Sequence, residues 1–163
     1  MRRSLLGSHV LFGASVAAVL LGVSRPAVAI DDKSIPGTLC REQGTTNYWR
    51  PNASNIATNT WLGGQVITVV CPLVRDDTLN LDGLSSLKVA YIPGGSVAIP
   101  NCTAYSLNAQ GQQLAQAYAG GSSAGGWMDF GAKLNVSAKD GSYVLSCWMP
   151  PGTSIIEIRY DEN

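Results

Sequence analysis

The chain has 163 residues, 45% hydrophobic and 13% charged, with 11 Lys and Arg balanced by 11 Asp and Glu. Its charges are scattered, so it lacks the basic footprint that nucleic acid requires and any basic run for anionic lipid. The lone histidine, His9, falls in the N-terminal segment. Without it the rest of the chain has no Ser-His-Asp or Cys-His arrangement and no ordinary zinc site.

The first segment, MRRSLLGSHVLFGASVAAVLLGVSRPAVAI, reads as a secretory signal peptide. Arg2 and Arg3 form a positive n-region, residues 5–23 are largely apolar, and Ala27-Val28-Ala29 fits the small-residue cleavage rule. A membrane anchor is the alternative, but the uninterrupted apolar run 10–23 is short for a span. Cleavage after Ala29 removes Arg2, Arg3 and Arg25 and no acidic residue, leaving residues 30–163 as one mildly acidic domain. The predicted location is secreted or periplasmic.

Residues 42–64, EQGTTNYWRPNASNIATNTWLGG, are polar and rich in Asn and Thr, and carry Tyr48, Trp49 and Trp61. They read as one or two edge strands with loops. The run QVITVVCPL (65–73) is nearly all apolar and β-branched, which predicts a strand buried on both faces. The acidic stretch DDTLNLDG (76–83) follows. Aligned on Asp82 and Gly83 as the fifth and sixth positions of a calcium loop, it puts Thr78 first, Asn80 third and Val89 twelfth, where a bidentate Glu is needed. The favoured reading is a solvated turn, with an irregular calcium site spanning Asp76, Asp77, Asn80 and Asp82 as the alternative.

In SLKVAYI (86–92), Leu87, Val89 and Tyr91 share one face and Lys88 the other. NCTAYSLN (101–108) and QQLAQAYA (112–119) predict a hairpin turning at 109–111, with a helix as the competing reading of the second arm. Residues 120–126 form a Gly- and Ser-rich loop. WMDFGAKLNVS (127–137) alternates cleanly and predicts a half-buried strand with Met128, Phe130, Ala132, Leu134 and Val136 inward and a bulge at Gly131. Asp140-Gly141 turns into SYVLSCWM (142–149), and Pro150-Pro151-Gly152-Thr153 makes a second tight turn. SIIEIRYDE (154–162) is expected to bury Ile156, Ile158 and Tyr160.

All four cysteines, Cys40, Cys71, Cys102 and Cys147, follow the signal, and none has C-x-x-C spacing. An even count in an exported chain implies two disulfides. Of the three possible pairings, Cys40–Cys71 and Cys102–Cys147 are favoured. The first ties an irregular segment to a core strand and the second joins two late strands. Cys71 is accordingly half of a disulfide rather than a nucleophile, since it has no histidine to activate it. Strand runs with turns between, and no convincing amphipathic helix, predict an all-β chain: an antiparallel two-sheet β-sandwich, jelly-roll or immunoglobulin-like, of about seven or eight strands.

The stretches VVCPLVRD (69–76), CTAYSLNAQG (102–111) and YVLSCWMPPGTSIIEIRYDE (143–162), with Cys40, resemble a group of small exported bacterial proteins of uncharacterised function. The likeness covers most of residues 30–163. It implies a secreted β-sandwich with two disulfides and no particular activity. The Asn52, Asn101 and Asn135 glycosylation triplets are expected to be unused in such a protein.

Asp76 and Asp77 are adjacent and on a strand point to opposite faces, and the sequence brings neither Asp129 nor Asp140 near them. An enzyme is therefore not expected, nor a cofactor or a metal. Arg75 reads as a structural bridge. The strongest binding signal is the aromatic set Tyr48, Trp49 and Trp61 in polar surroundings, since rings stack on apolar ligand faces. The competing reading places all four tryptophans in the core or over disulfides. The expected function is a non-catalytic exported binding or cell-envelope protein whose partner is a glycan or an envelope protein. The alternative is a surface interaction or structural protein, such as an adhesin, matrix component or inhibitor.

Overall fold

The computed structural model describes residues 31–61, 63–75, 83–95, 97–131, 134 and 136–162. The expected signal peptide, residues 1–29, and the calcium-loop candidates Asp76, Asp77, Asn80 and Asp82 lie outside the described residues.

Among the described residues eleven strands follow in chain order: β1 Asp31–Pro36, β2 Arg41–Glu42, β3 Trp49–Pro51, β4 Ala57–Asn59, β5 Ile67–Leu73, β6 Leu84–Ile92, β7 Asn101–Leu107, β8 Gln113–Gly120, β9 Gly126–Asp129, β10 Ser142–Met149 and β11 Ser154–Glu162. A 3-10 turn, Gly37–Leu39, separates β1 from β2. The first sheet runs β3-β4-β11-β6-β9, with β1 also paired to β11. The second runs β2-β5-β10-β7-β8. Every pairing is antiparallel.

The period-2 pattern explains the packing. In β10, Tyr143, Leu145, Cys147 and Met149 are buried, while their neighbours face outward. Leu87, Val89 and Tyr91 of β6 meet them from the first sheet, joined by Met128, Phe130, Ile155, Ile158 and Tyr160. Each such side chain contributes about 1.5–3 kcal/mol on leaving water. The 112–119 arm is a strand, as the hairpin reading expects and the helix reading does not. β7 and β8 pair around the Asn108–Gly111 turn, where Gly111 N–H bonds Asn108 O at 2.9 Å.

Both disulfides form as favoured, and both lie within the second sheet. Cys102 and Cys147 face each other directly on β7 and β10, with Cα atoms 4.0 Å apart. Cys40 precedes β2 and meets Cys71 of β5, with Cα atoms 4.1 Å apart. All four are buried.

Four expectations are corrected. β5 is buried on one face only: Val70 is half-buried and Pro72 exposed on the outer side, because the second sheet has the first sheet on one face alone. In β11 a bulge between Ile155 and Glu157 resets the alternation, so Ile155 is fully buried and Ile156 half-buried. The 127–137 strand stops at Asp129. Gly131 takes φ +59, Leu134 is buried in an isolated bridge to Leu84, and Val136 is exposed, while Ala132 lies outside the described residues. Finally, Trp127 and Trp148 are exposed on outer faces, so the tryptophans do not all serve the core.

Candidate functional site

Tyr48, Trp49 and Trp61 are divided by the fold. Trp49 begins β3 opposite Asn59 and turns inward at 6% exposure. Its neighbour Tyr48 must point the other way, since consecutive residues of an extended chain face opposite sides. Tyr48 is half-buried and stacks on Trp61, ring centroids 4.2 Å apart and planes 22° from parallel. Trp49 thus belongs to the core beside a separate hollow of about 330 Å³ that Arg41 and Glu42 also line. Its indole Nε1 is buried with no hydrogen-bond partner among the described residues.

Trp61 lines a larger cleft of about 740 Å³. One wall comes from Thr58, Asn59 and Thr60, and the other from Gly94, Val97 and Pro151. None of its lining residues is charged. The second wall comes from two sequence-distant turns pressed together. A Cβ on Gly94 would stand 1.9 Å from the Pro151 carbonyl oxygen, so a side chain there would force them apart. Gly152 takes φ +74, which closes the 150–153 turn.

Asn59 holds the cleft together. It is fully buried, and its Nδ2 donates to Met149 O at 2.9 Å and to Gln65 O at 3.3 Å. Its Oδ1 accepts the Trp61 N–H at 2.9 Å. Its backbone accepts from Gly152 N–H at 2.8 Å and donates to Thr153 O at 3.0 Å. One residue therefore fixes the base of Trp61 and the turn forming the opposite wall. Glu42 does similar work behind Tyr48: its carboxylate accepts Tyr48 N–H at 2.5 Å, Trp49 N–H at 3.0 Å and the Thr46 hydroxyl. Burial pushes the Glu42 carboxyl up, but these hydrogen bonds and Arg50 outweigh it and hold it below the usual range. Sequence reasoning missed Asn59, because its partners lie in remote segments.

The outer faces of the two sheets differ in chemistry. On the first, Lys88 pairs Asp129 at 3.2 Å, Arg159 pairs Glu157 at 2.7 Å, and the Arg159 guanidinium lies 5.2 Å from the Trp127 ring centre. The second carries Trp148 at 44% exposure, Tyr118 at 60%, half-buried Tyr105, Val144 and Val70. Its cross-strand rows read Trp148–Asn101–Gly120, Ser146–Thr103–Tyr118 and Val144–Tyr105–Gln116. The sequence between Lys88 and Asp129 contains no charged residue at all, which was the readable signal for this face.

Arg75 anchors the 137–141 turn: it donates to Ala138 O at 2.5 Å and Ser137 Oγ at 3.0 Å, and its guanidinium sits 5.7 Å from the Tyr143 ring centre. Asp129 accepts Gly131 N–H at 2.8 Å besides pairing Lys88, and both contacts hold its carboxyl below the usual range. Among the described residues no group of three His, Cys, Asp or Glu side chains is placed to hold a metal, and no helix is long and apolar enough to cross a membrane. Comparison of the chain with known protein families and with curated proteins finds no match.

Proposed function

We propose that the protein is an exported, non-catalytic carbohydrate-binding protein that takes an uncharged sugar in the Trp61 cleft. One observation carries the reading: an indole backed by a stacked tyrosine lines an uncharged cleft large enough for a sugar unit. The C–H face of a sugar ring packs on an aromatic plane, and its hydroxyls take hydrogen bonds from nearby polar groups. Thr60 and the backbone of the two turns supply such groups. Tyr48 behind Trp61 keeps the indole from collapsing inward, so less ordering is lost on binding. Two buried disulfides support export to an oxidising compartment, in keeping with the N-terminal segment.

The test is a glycan array followed by titration of residues 30–163 with the neutral oligosaccharides it selects. Trp61→Ala is expected to weaken binding by roughly 2 kcal/mol or more, about thirtyfold. Trp127→Ala, on β9 at the opposite edge of the same sheet, leaves it unchanged. Failure of the wild-type domain to bind any glycan sinks the reading.

A second reading is a surface interaction protein using the outer face of the second sheet. The uncharged aromatic rows around Trp148, Tyr105 and Tyr118 favour it. Binding to an isolated envelope component that is lost in Trp148→Ala and kept in Trp61→Ala would select this reading over the first.

A further inference from the structure

We propose that β8 is a self-association edge, through which two copies of this chain pair β8 against β8 and join their second sheets into one continuous sheet. The inference stands on the edge itself and is independent of the cleft.

β8 ends the second sheet, and beyond its pairing with β7 no backbone partner meets it among the described residues. A strand edge presents alternating N–H and C=O groups, and stable proteins guard such edges with charge, proline or short length. The other edge strands of this sandwich are guarded in this way. β2 is two residues long and consists of Arg41 and Glu42. β3 is three residues long and contains Arg50 and Pro51. β9 is four residues long and ends in Asp129, and β1 carries Asp31, Asp32, Lys33 and Pro36. β8 departs from the pattern: it runs eight residues as QLAQAYAG, with no charge and no proline.

The residue types also suit a second copy rather than a charged partner. A two-fold axis sets the same strand against itself, so an edge whose charges share one sign repels its own copy. β8, like the whole run from Val89 to Met128, carries no charge and is free of that conflict. Antiparallel pairing about an axis through Ala117 puts Gln116 opposite Tyr118 of the second copy on the outer face. It puts Ala115 opposite Ala119 of the second copy on the inner face. The small inner side chains let a second backbone approach, and the exposed Tyr118 ring gains a neighbour across the joint. The register shift between Ser106 and Leu107 falls at the start of β8, outside the 115–119 stretch that pairs. Joined this way, the two copies carry Trp148, Tyr105 and Tyr118 on one broad face.

The experiment is sedimentation equilibrium on residues 30–163 across a wide concentration range, with three proteins. The wild type is expected to show reversible dimerisation. Gln116→Lys with Tyr118→Lys places like charges opposite each other twice and is expected to weaken the dimer by about tenfold or more. Gln116→Lys with Tyr118→Glu places opposite charges in the same positions and is expected to restore it. Both positions are exposed, and thermal melting checks that each variant is folded. A wild type that stays monomeric at every concentration overturns the proposal, whether or not β8 takes up a foreign strand. So does a dimer that survives the Lys pair in a folded protein.

Discussion

The hydroxyl of Tyr160 donates to the carbonyl of Val74 at 2.9 Å and accepts that residue's N–H at 3.0 Å. Tyr160 lies on β11 of the first sheet and Val74 just past β5 of the second, so one side chain ties the two layers. It satisfies both backbone groups at the point where β5 ends. Tyr160→Phe keeps the ring in the core and removes only the oxygen. The expected loss is about 1–3 kcal/mol, because two backbone groups lose their partner. Thermal melting should fall by roughly 3–10 °C. A shift of less than a degree would mean that water replaces the hydroxyl at no cost.

The two disulfides should not contribute equally. Cys102–Cys147 joins central strands and is buried on the core face of the second sheet. Cys40–Cys71 attaches β2, a two-residue edge strand, and the turn before it. Replacing Cys102 and Cys147 together by Ala should cost about 3–5 kcal/mol, from the freed unfolded chain and the core space left by two sulfurs. Replacing Cys40 and Cys71 should cost less in global stability and instead loosen residues 37–49. Urea denaturation gives the first number and amide hydrogen exchange the second. Equal losses in both pairs would show that β2 is as integral as the centre of the sheet.

The fold was legible where periodicity had room to act. Leu87, Val89 and Tyr91 declare their face over a nine-residue strand, and so do Tyr143, Leu145 and Cys147. β2, β3 and β4 have two or three residues each, too few for any period to show. One error falls where an extra residue breaks the count, at Ile155–Glu157, another where β9 ends at Asp129, and a third at β5, whose outer face no second layer covers. The site was half legible. Tyr48 and Trp61 announce themselves as aromatics in a polar segment, yet their stacking and the burial of Trp49 depend on the β3–β4 register. The opposite wall, Gly94 with Pro151 and Gly152, arises from two turns that meet only in three dimensions. The charge-free run from Val89 to Met128 was visible in the letters, but which of its residues share a face follows from strand pairing.

Acid should weaken the fold. Hydrogen bonds and neighbouring cations hold the Glu42, Asp129 and Glu157 carboxyls below the usual range, though burial opposes this at Glu42. Each is more acidic folded than unfolded. Its contribution is therefore full above the ordinary carboxylate range, about pH 4–5, and is lost as the pH falls through the lower folded values. Melting temperature should be flat near neutrality and decline below that range. Glu42→Gln should start less stable at pH 7 and decline less on acidification. A parallel decline in wild type and variant would remove Glu42 from the account.

The most informative single substitution is Asn59→Ala. It deletes the amide that bonds Met149 O, Gln65 O and Trp61 N–H, and it leaves those groups short of partners in a buried place. The expected cost is about 2–4 kcal/mol, since each stranded backbone group carries its own desolvation penalty. Trp61 should also lose its fixed pose against Tyr48, so its fluorescence should change in intensity and polarity while Trp148 reports an intact second sheet. Asn59→Asp is the companion variant: it keeps the acceptor for Trp61 and loses the donor to Met149. If Asn59 positions the indole as well as supporting the fold, Asp should preserve the Trp61 signal while losing stability, and Ala should lose both. If the two variants melt alike and both leave the fluorescence unchanged, Trp61 is held by its stack on Tyr48, and Asn59 serves the core rather than the cleft.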